Sequence, residues 1–444
     1  MASFSVSETI AAIATAPGRS GVAVIRVSGK DALRIGERLA GFEMTPGKIR
    51  FAALRNPEKG NVFLDEAVVL AFHSPHSYTG EDVVEFQCHG GAITPKRILE
   101  ACFDNGARIA RRGEFTERAF LNGKLDYEKA QAVIDLIDAK TAKAADDALS
   151  GLQGRMTREL RSIYDDALDI SSSAEYALDI DEGELPPDFA ENLNARKTRL
   201  TSRIDALIAQ LRANRLRREG IAVVLAGEPN AGKSSLMNTL LGRNRAIVSD
   251  IPGTTRDFIE EWIDIDGWPV RLIDTAGLRK ASDTIEAEGV QRSETLIENA
   301  DIAICLVAAD NAAKHRDFSA LPRLAAKNCI NVISKSDLIC GDLPPQFGNF
   351  IRVSAKTGEG LDELRARIAE LLCEISGHDE NVDSRDEILS SLIAARTFLD
   401  ESTDDLVLLG NQVRSAADCI GERIGAVYSE DLLTRLFSRF CVGK

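Results

Sequence analysis

Residues 227–234, GEPNAGKS, have the types and the spacing of a loop that wraps around the phosphates of a nucleotide. Gly227 and Gly232 allow the backbone to turn tightly, so that its N–H groups and the start of the next helix face negative charge. Lys233 is expected to contact the β- and γ-phosphates, and Ser234 to bind Mg²⁺. An apolar, strand-like run precedes the loop and a helical pattern follows it, so the context favours a nucleotide site over a chance match.

Further motifs follow in the order that a GTPase requires. PGTTRD supplies Thr255 as a second Mg²⁺ ligand, and VRLIDTAG places Asp274 at a strand end, where it would hold a water on the metal. Asp337 in SKSD can accept hydrogen bonds from the ring N1–H and the exocyclic amine of guanine, and adenine offers no such donors. Ser334 stands where this motif usually has Asn, which predicts weaker guanine affinity with unchanged specificity. The predicted GTP-binding residues are Asn230, Ala231, Gly232, Lys233, Ser234, Ser235, Ser249, Asp250, Ile251, Pro252, Gly253, Thr254, Thr255, Asp274, Thr275, Ala276, Gly277, Lys335, Asp337, Ser354, Ala355 and Lys356.

The means of hydrolysis is less plain, because Leu278 stands where Ras-like enzymes carry the glutamine that orients the attacking water. The side-chain oxygen of Asn230 could bind a monovalent cation that bridges the phosphates and replaces an arginine finger electrostatically. Glu286 or Glu288, in the acidic stretch DTIEAEG, could orient the water. Acidic residues at this point are also typical of the first turn of a helix, so both readings stay open.

Bulk composition limits the classes of protein that the chain can be. Its 444 residues allow two to four domains, and 44% hydrophobic residues are ordinary for a globular protein. A net charge of −15 argues against binding to nucleic acid by bulk charge. The clusters RIARRG and RLRRE could still form local basic patches, although solvated surface arginines are the favoured interpretation. Since no apolar run approaches ~20 residues and no signal peptide is recognisable, a cytoplasmic protein without a membrane is predicted.

The eight cysteines are scattered, and none belongs to a C-x-x-C pair. This spacing excludes a standard zinc site and a disulfide scaffold, and most of the cysteines are expected to be small core residues. Cys441, in the terminal RFCVGK, has the position of a prenylated cysteine, but Gly443 and Lys444 do not fit that signal. The preceding SEDLLTRLFSRF is predicted to be an amphipathic helix that Gly443 ends, with Lys444 reaching out beyond it. Cys441 is a candidate reactive thiol, with a buried structural thiol as the commoner alternative.

Three kinds of pattern alternate along the chain. Residues 1–120 read as β-strands and short helices, and residues 120–214 have the three- and four-residue apolar spacing of amphipathic helices, with a turn at EGELPP. Residues 219–375 alternate strand and helix, which predicts a doubly wound parallel sheet, and helical spacing returns after 380. We therefore predict a multidomain fold of α/β and α domains, in which an α/β domain is inserted into one helical domain. The predicted segments are 1–119, 120–215, 216–376 and 377–444.

The motifs outside the nucleotide loop resemble those of one family. ATAPGRSGVAVIRVSG, TGEDVVEFQCHGG, RRGEFTERAFLNGKLD and the closing FCVGK, together with the inserted GTPase motifs, resemble the MnmE (TrmE) family of tRNA modification GTPases across essentially the whole chain. The resemblance implies an N-terminal folate-binding and dimerisation domain, a discontinuous helical-bundle domain and an inserted Ras-like P-loop GTPase (G) domain. It also implies a homodimer that forms a heterotetramer with the flavoprotein MnmG (GidA), which carries FAD, and acts on tRNA. The product would carry a carboxymethylaminomethyl or aminomethyl group at C5 of the wobble uridine.

The resemblance also implies site residues by matching motifs. A tetrahydrofolate derivative, 5-formyl or methylene, would contact Arg26, Glu85, Lys124 and Lys444, because a carboxylate can pair with the pterin edge and cations with the glutamate tail. K⁺ would be held by Asn230 and near Ser249, Ile251 and Thr254. Glu286 would orient the water, so that Glu286 and Lys233 are the predicted catalytic residues. Without the resemblance, each folate residue reads more simply as a surface charge or a structural ion pair.

Three other functions fit parts of the pattern. A ribosome-assembly GTPase would bind RNA as a switch without modification chemistry, but usually adds a basic RNA-binding module. A membrane-anchored switch would need a working prenyl signal. A folate-dependent one-carbon transferase with a regulatory G domain fits the N-terminal half and has no need of tRNA.

Overall fold

A computed structural model describes most of the chain: residues 8–45, 47–178, 185–228, 230–244, 260–274, 300–309, 328–339, 344–378, 387–400, 403, 405–424, 437 and 440–443. Its strands are β1 Ile10–Ile13, β2 Val22–Ser28, β3 Arg50–Asn56, β4 Val62–Phe72, β5 Val83–His89, β6 Arg108–Ile109, β7 Ile221–Gly227, β8 Glu260–Ile265, β9 Trp268–Asp274, β10 Ile302–Ala308, β11 Cys329–Ser334 and β12 Ile351–Val353. Its helices are α1 Ala32–Ala40, α2 Thr94–Asp104, α3 Glu114–Leu121, α4 Tyr127–Asp138, α5 Ala142–Leu152, α6 Arg155–Leu178, α7 Phe189–Glu219, α8 Lys233–Asn244, α9 Leu361–His378, α10 Glu387–Phe398 and α11 Leu406–Ile424. None of these helices is both long and apolar enough to span a membrane.

The chain divides into two compact units. The first comprises Met1–Ile134, Gly151–Gly154 and Val427–Lys444, and the second comprises Asp135–Ser150 and Arg155–Ala426. The first unit therefore joins the start of the chain to its end. The predicted domain boundaries stay a prediction.

A six-stranded sheet in the order β3-β4-β5-β2-β1-β6 forms the centre of the first unit. Its neighbouring strands are antiparallel except for β1 and β6, which are parallel. Side chains alternate along β2 and β5, and the inward ones, such as Ile25 and Phe86, pack against α1 and α2 through Ile35 and Ile98. This main apolar core leaves the polar positions of β2 and β5 available for a site, and a smaller cluster joins Ile10 and Ala12 of β1 to Phe115.

A buried ion cluster ties α3 to this sheet. The Glu114 carboxylate, 2% exposed, accepts hydrogen bonds from the guanidinium groups of Arg108 and Arg118 and from the backbone N–H of Arg111. Burial by itself raises the pKa of Glu114, but the hydrogen bonds outweigh it and lower that pKa from 4.5 to about 2. Arg118 also donates to Glu81, whose carboxylate accepts a hydrogen bond from Ser28 of β2. The cluster therefore connects α3, the loop before β5 and the end of β2.

Replacing Glu114 with Gln is expected to cost about 3 kcal/mol of folding free energy at neutral pH, because the buried Arg118 would keep only Glu81 as a charged partner and Arg108 would lose its buried one. A lowered pKa stabilises the fold fully above pH 4.5, and that contribution is lost as the pH falls toward 2. Native-state hydrogen exchange of the β1 and β2 amides at pH 7 measures the loss. The exposed Glu58, paired with Arg38, provides the control, since Glu58→Gln should change stability by less than ~1 kcal/mol. An equal effect of the two substitutions would contradict this account.

A helical bundle in the second unit is built from two distant chain segments. Apolar side chains of α6 and α7 pack with those of α10 and α11, for example Ile163 and Ile204 with Leu392 and Val413. Lys197 of α7 also donates a hydrogen bond to Gln412 of α11. This packing confirms the prediction of one helical domain that is interrupted by the α/β domain.

The interrupting domain is a sheet in the order β12-β11-β10-β7-β9-β8, parallel except for β8. Its main core joins the strands to α8 and α9 through residues such as Leu225, Leu236 and Leu364. β8 and β9 form a hairpin through Asp266 and Gly267, both with positive φ, as the Asp-Gly pair requires.

Three expectations from the sequence are wrong in detail. The apolar spacing of residues 125–152 predicts one helix, but the structure has two there, because the Thr141 hydroxyl accepts a hydrogen bond from the Ala144 N–H and begins a new helix. The arginine clusters are not simply solvated, since Arg108 pairs with Glu8 and Glu114, and Arg217 pairs with Asp147. Fewer than half of the seven described cysteines are core residues; those are Cys88, Cys102 and Cys305.

Candidate functional site

The predicted phosphate loop connects β7 to α8. β7 ends at Gly227, close to the neighbouring strand β10. A Cβ at Gly227 would lie 2.4 Å from the Leu306 carbonyl oxygen of that strand. Asn230 and Gly232 both have positive φ, which turns the loop toward the helix start. The Lys233 ammonium is 7% exposed and donates hydrogen bonds of 2.8 and 2.9 Å to the carbonyl oxygens of Gly227 and Glu228. The loop therefore closes around the ammonium group that the sequence predicts to contact phosphate.

Two predicted members of the Mg²⁺ environment are in contact. The Ser234 hydroxyl donates a 2.7 Å hydrogen bond to the Asp274 carboxylate, which is 3% exposed. β7 and β9 are parallel neighbours, and Leu225 pairs with Asp274, so the carboxyl end of β9 lies beside the phosphate loop. A hydroxyl and a carboxylate at this point are oxygen ligands of the kind that Mg²⁺ prefers. The donor set therefore fits the metal.

The predicted guanine-reading residues lie at the ends of β11 and β12. The Ser354 hydroxyl, fully buried, donates a 2.6 Å hydrogen bond to Asp337 and accepts one from the Thr357 N–H. Ser334 donates a 2.5 Å hydrogen bond to the carbonyl oxygen of Ala231. Ser334 thus connects the end of β11 to the predicted phosphate loop. The sequence motif did not predict this contact.

Several predicted G-domain residues lie outside the described part of the chain. They are Ser249, Asp250, Ile251, Pro252, Gly253, Thr254, Thr255, Thr275, Ala276, Gly277 and Glu286. The predicted K⁺ ligands other than Asn230 are among them. Asn230 itself is exposed at the mouth of the loop.

Arg26 and Glu85 are brought together by the antiparallel register of β2 and β5, which places them directly opposite one another. The Arg26 Nε atom lies 2.7 Å from Glu85 Oε1, and both side chains are partly exposed. The Arg26 guanidinium also lies over the rings of Tyr78 and Phe115, at 5.3 and 5.7 Å from their centroids. Phe115 is fully buried, but a carboxylate, a cation and the partly exposed Tyr78 ring at one position are suited to a planar ligand with a hydrogen-bonding edge.

Tyr78 is not among the residues predicted from the sequence, although it directly precedes the motif TGEDVVEFQ. Its hydroxyl hydrogen-bonds with Thr116 at 2.8 Å, and burial raises the pKa of the phenol. The same loop accepts a 3.0 Å hydrogen bond at the Pro75 carbonyl oxygen from the Lys124 ammonium. Lys124 is therefore held at the edge of the loop that carries Tyr78.

The end of the chain lies against the same unit. Phe437 and Phe440 are buried with Phe120, and Val442 forms an antiparallel bridge with Arg112. Gly443 is buried, and a Cβ there would lie 2.4 Å from the Ile13 carbonyl oxygen. The predicted helix before it lies almost wholly outside the described residues. Residues 440–443 are not helical, so the prediction that Gly443 ends a helix is wrong: Gly443 instead allows the tail to approach β1 closely. Cys441 is exposed, which is against a buried structural thiol, and Lys444 lies outside the described residues.

Replacing Gly443 with Ala is expected to release the tail from β1, because φ is +106° and the new methyl group would collide with backbone. Amide exchange in residues 440–443 should become faster by ~10-fold or more, measured by hydrogen exchange and mass spectrometry. Gly41→Ala is the matched control, since Gly41 also has positive φ but a Cβ there meets no atom within 4 Å. Unchanged tail protection in the Gly443 variant would exclude this anchoring role.

The hairpin of the G domain contacts the helical part of the second unit. The Thr141 hydroxyl donates a 3.0 Å hydrogen bond to the Gly267 carbonyl oxygen at the hairpin turn. Arg217 lies over the Trp268 ring at 4.6 Å and donates a 2.9 Å hydrogen bond to Asp147 of α5. β8 and β9 adjoin the two segments that carry Thr255 and Gly277 in the sequence. The contact therefore joins β8 and β9, which lie between the predicted GTP-binding residues Thr255 and Gly277 in the sequence, to α5 and α7.

Comparison with known proteins finds two family models on this chain. The model of the GTP-binding protein TrmE N-terminus matches residues 9–124, and the model of the MnmE helical domain matches residues 128–441. Three relatives are each described as tRNA modification GTPase MnmE. Those from Bordetella petrii and Chromobacterium violaceum are both 42% identical and cover 98% of each chain. The one from Acetivibrio thermocellus is 38% identical and covers 98% of this chain and 99% of its own.

Solved structures that match this chain include one that covers about a third of it. The G domain of the T. maritima FeoB iron transporter is 28% identical and covers 34% of this chain and 98% of its own, with a TM-score of 0.26. A TM-score this low says nothing about the fold of the whole chain.

Proposed function

Because the chain belongs to the MnmE family of tRNA modification GTPases, and is therefore a GTP hydrolase that acts in tRNA modification, we propose that it modifies C5 of the wobble uridine. The added group is carboxymethylaminomethyl or aminomethyl, and the flavoprotein MnmG supplies FAD in a heterotetramer with a homodimer of this chain. The observation that carries the folate part of this proposal is the Arg26–Glu85 pair, with the Arg26 guanidinium over the rings of Tyr78 and Phe115.

The folate derivative is proposed to lie at this pair. Glu85 would accept hydrogen bonds from the amino-pyrimidinone edge of the pterin, and Arg26, Lys124 and Lys444 would attract the anionic glutamate tail. When bound, a methylene derivative would supply the one-carbon unit. The anchored residues 440–443 support a role for Lys444, because Gly443 lies against Ile13, and the neighbouring Ala12 pairs with Arg26.

GTP is proposed to be held by its phosphates at Lys233 and by its base at Asp337. Ser234 and Thr255 would bind Mg²⁺, with Asp274 beside them. Asn230 and the backbone near Ser249, Ile251 and Thr254 would bind K⁺, which stabilises negative charge on the phosphates. Glu286 would orient the attacking water. Pairing of two G domains would complete this site.

The hairpin contact supports a proposal for how hydrolysis is coupled to modification. A shift of β8 and β9 against one another would act on Thr141 through the Gly267 hydrogen bond and on Arg217 through the Trp268 ring. Arg217 would transmit this shift to α5 through its hydrogen bond to Asp147.

One experiment tests the modification. In a strain that lacks the gene, mass spectrometry of tRNA nucleosides should show loss of the wobble-uridine group, and the chain should restore it. Restoration should fail with Glu85→Gln and succeed with Glu66→Gln, which changes an exposed carboxylate on the neighbouring β4. Unchanged wobble uridines in the deletion strain would overturn the proposal and favour a ribosome-assembly switch.

Two measurements on the purified protein test the ligands. Calorimetry with 5-formyltetrahydrofolate should show at least ~10-fold weaker binding to Arg26→Ala, because a charge-assisted contact is lost. GTP hydrolysis should be faster in K⁺ than in Na⁺, and Asn230→Ala should abolish that difference. A K⁺ response that survives Asn230→Ala would contradict the cation assignment.

A further inference from the structure

Two thiols face one another on neighbouring strands of the G-domain sheet. Cys305 lies in β10 and Cys329 begins β11, and the parallel register pairs Cys329 with Ala303, two residues before Cys305. Because side chains alternate, both thiols are on the same face of the sheet. Their Sγ atoms are 3.0 Å apart. A disulfide needs the sulfurs to approach by only about 1 Å more.

The two thiols differ in exposure and in pKa, as expected of a pair in which one thiol reacts first with an oxidant and the other then displaces it. Cys329 is exposed, whereas Cys305 is buried. The hydrogen bond from Cys305 to Cys329 lowers the pKa of the Cys329 thiol, and the same hydrogen bond, together with burial, raises the pKa of Cys305. The accessible sulfur is therefore the one that becomes a thiolate, which is the nucleophilic form.

We propose that Cys305 and Cys329 form a reversible disulfide in the presence of a low-molecular-weight disulfide such as oxidised glutathione. The Cys329 thiolate attacks one sulfur of the oxidant, forming a mixed disulfide and releasing one glutathione thiolate. Cys305 loses its proton and attacks the Cys329 sulfur, which releases the second glutathione. Two protein thiols are oxidised and one glutathione disulfide is reduced to two thiols, so atoms and electrons balance.

The bond would join the strands that lead to the nucleotide site. β10 and β11 run side by side from these cysteines to Ala308 and Ser334, and Ser334 holds the phosphate loop through Ala231. Closing residues 305–329 into a covalent loop also restricts the unfolded chain, and is expected to raise the melting temperature of the G domain by roughly 5 °C. Intracellular disulfides of this kind are typically transient and redox-sensing.

The test is oxidation of the full-length protein with oxidised glutathione, followed by peptide mass spectrometry without reduction. The expected result is a linked pair of peptides carrying Cys305 and Cys329, two fewer free thiols, reversal by dithiothreitol, and the higher melting temperature. Cys329→Ser should prevent all of these changes. Cys305→Ser should instead stop at stable glutathionylation of Cys329, and Cys373→Ser, which alters an exposed cysteine elsewhere, should leave the pair intact.

Stable glutathionylation of Cys329 in the wild-type protein, or a disulfide involving other cysteines, would overturn the proposal. No reaction at Cys329 while Cys373 or Cys441 is glutathionylated would also overturn it. These results do not depend on tRNA modification, because the readouts are the mass and the melting temperature of the protein alone.

Discussion

A Lys233→Ala protein is expected to hydrolyse GTP at least ~100-fold more slowly than the wild type, since it loses the cation that the phosphate loop encloses. In the structure the ammonium group is nearly buried between the carbonyl oxygens of Gly227 and Glu228. A phosphate entering the loop offers this cation a stronger partner than those carbonyl groups, and the attraction grows as charge develops on the leaving phosphate. Alanine is compatible with the start of α8, but it has no positive group to stabilise the negative charge on the phosphates.

Single-turnover hydrolysis and nucleotide titration measure this effect separately on chemistry and on binding. Arg352→Ala is the control, because it removes an exposed cation from β12 of the same domain. Circular dichroism should show an intact fold for both variants. Near wild-type hydrolysis by Lys233→Ala would mean that the loop does not hold the reacting phosphates.

An Asp337→Asn protein is expected to lose GTP affinity by roughly 10⁴-fold and to gain affinity for xanthosine triphosphate. The proposed role of the carboxylate is to accept two hydrogen bonds from guanine, and the Asn amide would turn one acceptor into a donor. Xanthine has an oxygen where guanine has its amino group, so it restores the complementarity. The Ser354 hydroxyl donates to Asp337, and Asn keeps a carbonyl oxygen that can accept the same bond.

Competition between the two nucleotides in a fluorescence titration measures this change of specificity. Glu359→Gln provides a matched control, since this nearby carboxylate accepts a hydrogen bond from Ser336. If Asp337→Asn still preferred GTP, the base would have to be read by another group. A loss of both nucleotides would point to a damaged loop, and the contact with Ser354 argues against that outcome.

Local chemistry explains why the G domain could be predicted so well. Gly227, Gly232 and the Asp266-Gly267 turn each set the backbone conformation of only a few neighbouring residues. Such local conformations can be predicted from residue type and spacing alone. Asp-Gly in a sequence predicts a hairpin turn, and that hairpin and the strand–loop–helix of the phosphate loop are both confirmed. Thr141 offered a similar local signal, as an N-cap before Ala144, but the strong helical period around it hid the break.

Contacts between distant residues explain what could not be predicted. RIARRG and RLRRE look alike as sequences, yet Arg108 is neutralised by Glu8 and Glu114 and Arg217 by Asp147, acids that come from other elements. The same holds for Ser334, whose partner is the Ala231 carbonyl oxygen, and for the two facing thiols. No periodicity in one segment specifies which residue of another will oppose it.

The sequence by itself therefore determined the order of the elements, the nucleotide loop, the base-reading motif and the resemblance to a family, because those depend on residues that are neighbours in the chain. Tertiary structure alone decided that Arg26 faces Glu85 and lies over the Tyr78 ring, that the tail lies against Ile13, and that the hairpin reaches Thr141. Strand register and close backbone approach set those contacts, and both are fixed only when the core packs.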